Sequence, residues 1–186
     1  MCLHALQLPE LPASLSHLEC MGCSSLLRLP ELRHTSIAYL ECAECDLLED
    51  LPDLPDSLIL LNACDLPRLT NLPRLPQGLQ VLQIGSTGIR ELPEPLPCLE
   101  ELMCWRADIQ RLPEQLPASL KLLDCSECSA LQQLPAQLPP ALQVLEVNDC
   151  PALEQLPNLP PALEELNCDG CSSLQKLPDL TGCQLK

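Results

Sequence analysis

Aromatic side chains make up 1% of this 186-residue chain, and phenylalanine is absent. A compact domain of this size ordinarily fills irregular core gaps with aromatic rings. Their scarcity argues against such a core and for one in which a single aliphatic shape is repeated. Glycine is scarce at 6 residues while proline reaches 21. Proline breaks helix interiors, which argues against a helical bundle. Lysine and arginine total 10, spread along the chain, against 26 aspartates and glutamates, for a net charge of −16. Phosphate recognition needs clustered cations, so nucleic acid and anionic membrane surfaces are poor partners. No apolar run approaches the roughly 18 residues of a membrane span. The segment Met1–Pro9 lacks the basic stretch and apolar core of a secretory signal peptide. No Asn-X-Ser/Thr acceptor site occurs. These absences predict a cytoplasmic location.

What is present is a period. A Leu-Pro pair stands at Leu8, Leu29, Leu51, Leu72, Leu92, Leu112, Leu134, Leu156 and Leu177, at intervals of 20 to 22 residues. Self-similarity in this range is the signature of a leucine-rich-repeat solenoid. Within each coil one segment alternates. In Leu15–Met21, Leu18 and Cys20 fall on one face and His17, Glu19 and Met21 on the other, which is strand periodicity. Equivalent segments are Ile37–Ala43, Leu58–Cys64, Leu79–Gly85, Leu99–Trp105, Leu120–Ser126, Leu142–Asn148 and Leu163–Asp169. A coil this short has no room for a full helix. Leu-Pro-x-Leu-Pro also drives the return half toward extended or polyproline geometry. The predicted fold is an α/β-class leucine-rich-repeat solenoid, right-handed, of about eight full repeats and very little helix. Its concave face carries a strand-only parallel sheet and its convex side is extended. The whole chain, 1–186, reads as one such domain. Full coils run over about 8–176, and a partial coil follows at 177–186.

The run Leu134-Pro135-Ala136-Gln137-Leu138-Pro139-Pro140-Ala141-Leu142-Gln143-Val144-Leu145-Glu146-Val147 resembles the short bacterial class of leucine-rich repeats. That class is carried by secreted effectors of the YopM and IpaH type. The resemblance extends from Leu8 to about Leu180. It implies a protein-binding scaffold acting in the cytosol of a host cell. Some members add a separate ubiquitin-ligase domain, for which this chain has no room. One departure is consistent: where the family usually places asparagine after the strand, this chain has Cys23, Cys45, Cys128, Cys150 and Cys171. Gly22-Cys23-Ser24-Ser25-Leu26 also resembles the cysteine-type repeats of plant intracellular immune receptors.

The 14 cysteines pose a choice. Cys-x-x-Cys pairs stand at Cys20/Cys23, Cys42/Cys45, Cys125/Cys128 and Cys168/Cys171, with a half-matched pair at Val147/Cys150. The spacing C-x2-C-x18-C-x2-C of the first four is ordinarily a zinc signal. In a repeat protein it has a plainer origin. The strand cysteines are replaced in other coils by Ala63, Ile84 and Val147, ordinary core residues, and a free cysteine packs as a small buried hydrophobe. Three residues of extended chain span about 10 Å, whereas thiolates on one zinc lie within about 4 Å of each other. Core filling is therefore the expectation, with no metal and no cofactor. A zinc, iron–sulfur or redox protein is the alternative. Neighbouring strand cysteines such as Cys20 and Cys42 should come close enough to oxidise, although a reducing cytosol opposes this.

Catalytic signals are lacking. His4, His17 and His34 are the only histidines. His17 points outward while the cysteines point inward, so no Cys–His pair converges. Glu100-Glu101 and Glu164-Glu165 alternate faces and read as solvated charges. No enzyme is predicted. Function is expected on the concave face. Its first column holds His17, Tyr39, Leu60, Val81, Glu101, Leu122, Val144 and Glu165. The second contains Glu19, Glu41, Met103, Asp124 and Glu146, and Trp105 falls in the third. The single tyrosine and single tryptophan thus face outward, and such residues anchor binding hot spots. The predicted partner-binding residues are Tyr39, Leu60, Val81, Met103, Trp105, Leu122 and Val144, with Glu19, Glu41, Asp124 and Glu146 steering a basic protein. Acidity also has a plainer reading, as solubility. A further alternative is self-association through ends that lack polar caps.

Overall fold

A computed structural model describes residues 7–94 and 96–178. Eight strands follow one another as β1 (His17–Glu19), β2 (Tyr39–Glu41), β3 (Leu60–Asn62), β4 (Val81–Gln83), β5 (Glu101–Met103), β6 (Leu122–Asp124), β7 (Val144–Glu146) and β8 (Glu165–Asn167). They form one parallel sheet in chain order, each paired in register with the equivalent residues of the next coil. No helix occurs among the described residues. The solenoid is therefore as the repeat period predicts. His4 and residues 179–186 of the partial last coil lie outside the described residues.

The strands are three residues long, shorter than the seven-residue alternating segments. The interstrand ladder nevertheless continues beyond them. One residue before each strand, Ala38 N donates to Ser16 O at 2.8 Å, and its equivalents repeat this down the stack. After the strand, Cys20 N donates to Glu41 O at 2.8 Å and Gly22 N to Ala43 O at 2.9 Å. The alternation is thus a true ladder signal, but the chain departs from extended geometry three residues past each strand.

That departure has a fixed place. Gly22, Glu44, Asp65, Ser86, Arg106, Glu127, Asp149 and Gly170 all have positive φ. Only two are glycine, the residue with no steric penalty there. The other six are held by the ladder: Asp65 N donates to Gly85 O at 2.8 Å and Arg106 N to Ser126 O at 2.8 Å. Two further turns close each coil. Pro12 O accepts from Leu15 N at 3.0 Å, with the same contact at Pro55, Pro76, Pro117, Pro139 and Pro160. Cys23 O accepts from Leu26 N at 2.9 Å, with equivalents at Cys45, Leu66, Cys128 and Cys150. On the return half coils are linked by isolated bridges, such as Gln133 to Gln155, and by scattered backbone bonds, such as Gly88 N to Leu69 O at 3.0 Å.

The core is a set of columns running along the stack. The central leucine of each inner strand (Leu40, Leu61, Leu82, Leu102, Leu123 and Leu145) is fully buried. The Leu-Pro leucines Leu29, Leu51, Leu92, Leu112, Leu134 and Leu156 form the opposite wall. Leu18 of β1 and Leu166 of β8, with one described neighbour strand each, are half-buried. Because each layer repeats the last, one aliphatic shape fills the interior without aromatic rings.

Candidate protein-binding face

Register places the first-column residues in a single row across the outer face of the sheet. Tyr39 pairs with Leu60, Leu60 with Val81, Val81 with Glu101, Glu101 with Leu122 and Leu122 with Val144. Tyr39 is exposed and the others are half-buried, their outer surfaces open. Glu101 interrupts the row. At that coil the apolar surface moves one column over to Met103, which aligns with Gln83 and Asp124. The predicted apolar residues are thus brought together as a stripe with a lateral step at β5. His17 extends it at the start, its ring stacked on Tyr39 with centroids 4.5 Å apart. Sequence reasoning placed His17 beside Tyr39 but did not foresee the stacking, which depends on ring orientation.

Glu19, Glu41, Asp124 and Glu146 flank the stripe as expected, in register pairs Glu19–Glu41 and Asp124–Glu146. Partial burial pushes the Glu146 carboxyl above the usual carboxylate range, and the charges of Asp124 and Glu165 push the same way. Such a carboxylate is stabilised by any cation that joins it. Asp124 also has an internal task that the sequence reading missed. Its Oδ1 accepts from Ser126 N at 2.9 Å, and Asn62 and Asn167 make the same bond to Cys64 N and Asp169 N. Asx side chains commonly bond the backbone two residues on, and here they hold the end of the strand.

In the column of Trp105, Ala43, Gly85 and Ser126 are buried, whereas Met21 at its start is exposed. Trp105 is half-buried and lies back across the preceding coil. A β-carbon added to Gly85 would stand 2.3 Å from Trp105 Cε2, so the indole rests flat on the glycine backbone. The Arg106 guanidinium sits 5.8 Å from the ring centroid and pairs with Glu127 at 2.7 Å. Trp105 is therefore only half-open to solvent. Gly85 and Arg106, which position it, were not identifiable before the neighbouring coil was in place.

The cysteines occupy two inward columns. In the turn column the thiols act as donors, each to a carbonyl in the preceding coil. Cys45 Sγ donates to Cys20 O at 3.2 Å, Cys128 to Cys104 O at 3.1 Å, Cys150 to Cys125 O at 3.1 Å and Cys171 to Val147 O at 2.9 Å. This is the task the missing asparagine would perform. Burial pushes the Cys64 thiol up to about 11 and the Cys150 thiol to about 12, so neither is an activated nucleophile. Among the described residues no group of three or more histidine, cysteine, aspartate or glutamate side chains is arranged to hold a metal ion.

No protein-family model and no curated protein matches the chain. Solved structures do. YopM, a leucine-rich effector protein from Yersinia pestis, superimposes with a TM-score of 0.81 at 33% identity, over 98% of this chain and 50% of that one. YopM from Yersinia enterocolitica WA-314 gives 0.59 at 26% identity, over 98% and 53%. The leucine-rich-repeat domain of the type III effector XopL gives 0.74 at 26% identity, over 98% and 71%. The fold and these likenesses define a leucine-rich-repeat protein. Its repeats resemble those of YopM, and the chain spans about half the length of the YopM structures it matches.

Proposed function

We propose that the chain is a non-catalytic recognition module that binds a basic protein partner on the concave face, as part of a bacterial effector acting in the host cytosol. The observation that carries this reading is the stepped apolar stripe of Tyr39, Leu60, Val81, Met103, Leu122 and Val144, bordered by paired carboxylates. Half-buried aliphatic side chains give contact area at little cost in side-chain order, and Tyr39 and Trp105 supply the anchors. The carboxylates would steer a cationic partner, with attraction that weakens as salt rises. The likeness to effector repeats supports interaction as the general role.

The test compares proteins captured from a host-cell extract by the wild type and by Tyr39→Ala/Trp105→Ala, with circular dichroism confirming that both fold. Loss of a specific captured protein in the variant, and its release by salt, supports the reading. Identical captured sets would refute it.

A further inference from the structure

Fourteen cysteines are distributed over this chain, yet one pair stands apart. Cys104 and Cys125 follow β5 and β6 directly, in the register set by Met103 and Asp124. Both side chains point inward and are fully buried. Their sulfurs are 3.3 Å apart, and Cys104 N donates to Asp124 O at 2.8 Å, locking the two backbones side by side. Adjacent strands place α-carbons about 4.8 Å apart, inside the roughly 4.4–6.8 Å range that a disulfide tolerates. Forming the bond at about 2.05 Å asks each sulfur to move well under 1 Å. In the pair that spacing suggested, Cys20 and Cys42, the Cys42 Sγ donates to Asn62 O of the next coil at 3.6 Å.

We propose that Cys104 and Cys125 are an oxidation site, converted by a hydroperoxide into a disulfide that ties the fifth coil to the sixth. The inference is independent of any binding partner. Because both thiols are sealed from solvent, the oxidant must be close to water in size, which favours hydrogen peroxide over bulky disulfides. Both thiols are held above their ordinary range, so oxidation starts from the minor thiolate form. Either sulfur can be the donor in the 3.3 Å contact, with Cys125 taken as the attacking sulfur. The Cys125 thiolate attacks one peroxide oxygen, the O–O bond breaks, and hydroxide leaves to become water with the proton released by the thiol. The resulting sulfenic acid is then attacked by Cys104 sulfur; the S–O bond breaks and a second water leaves with the Cys104 proton. Two thiols and one peroxide give one disulfide and two waters. The sulfurs lose two electrons and the two peroxide oxygens gain them.

Cys128 is the competing thiol, since its Sγ donates to Cys104 O at 3.1 Å. Side-by-side pairing of β5 and β6 favours the Cys104–Cys125 bond, with the two sulfurs already 3.3 Å apart. The bond would run beneath Met103, Trp105 and Asp124 and would remove the freedom of the unfolded chain between the two coils.

The experiment treats the full chain carrying Cys98→Ser, which removes an exposed thiol, with hydrogen peroxide, then blocks remaining thiols under denaturation. The expected result is two fewer blocked thiols than in the untreated protein, a non-reduced peptide map linking Cys104 to Cys125, and a melting temperature raised by several degrees and restored by reductant. Cys128→Ser should retain the link, and Cys104→Ser should abolish it. The peptide map needs no core variant, so misfolding of Cys104→Ser leaves the test intact. A bridge to Cys128, or sulfinic acid without any bridge, would overturn the proposal.

Discussion

Gly85→Ala tests the seating of Trp105 directly. Gly85 has no positive φ, so alanine meets no backbone penalty there, and the whole effect is steric. Its new β-carbon would stand 2.3 Å from Cε2, 2.6 Å from Nε1 and 2.7 Å from Cδ2 of the indole. Carbon atoms pack at about 3.5–4.0 Å, so the ring must retreat by roughly 1 Å or more. The backbone cannot yield instead. Gly85 O accepts from Asp65 N at 2.8 Å, and Ser86 N donates to Trp105 O at 2.7 Å, so both chains are pinned in the ladder. The indole therefore lifts toward solvent and loses its contact with the glycine. Overpacking of this kind costs about 1–3 kcal/mol. With one tryptophan in the chain, intrinsic fluorescence reports the change without ambiguity: emission should shift to the red, and urea unfolding should move to lower concentration. The same substitution in a Trp105→Ala background should cost almost nothing, because the clash is gone. An unshifted spectrum, or an equal cost in both backgrounds, would refute the packing argument.

Three further outcomes follow from the repeat. Glu44→Gly should stabilise the protein by about 0.5–1 kcal/mol in urea unfolding, since Glu44 has φ 58° and only glycine adopts that geometry without strain. Leu82→Ala, in a fully buried column, should cost about 2–5 kcal/mol by the same measurement. Stability should fall in alkali. Burial raises the thiols of Cys42, Cys64 and Cys125 above their ordinary 9.0, so above about pH 9 the folded state binds more protons than the unfolded one, and each added hydroxide favours unfolding. A melting temperature flat from pH 9 to 11 would contradict that sign. Replacing Cys64 by alanine should flatten part of the slope.

Much of this molecule is determined by its sequence alone, for a simple reason. When each coil has nearly the same length, a residue's place in the repeat dictates which residues of the next coil lie beside it. Tyr39 beside Leu60, Leu60 beside Val81, and the inward cysteines all follow from counting along the chain. The same regularity made helix impossible and aromatic core residues unnecessary. Tertiary structure decided what counting does not reach: how far a side chain leans along the stack, and where the chain turns. Trp105 lies back onto Gly85 instead of standing free. Ala43 and Ser126 are covered, and the backbone bends three residues after the strand, at a positive φ that six non-glycine residues adopt only because the neighbouring coil's carbonyls hold them there. Equivalent cysteines differ for the same reason. Cys42 aims its thiol at a carbonyl while Cys104 aims at Cys125, since a rotamer is set by local packing and not by position in the repeat.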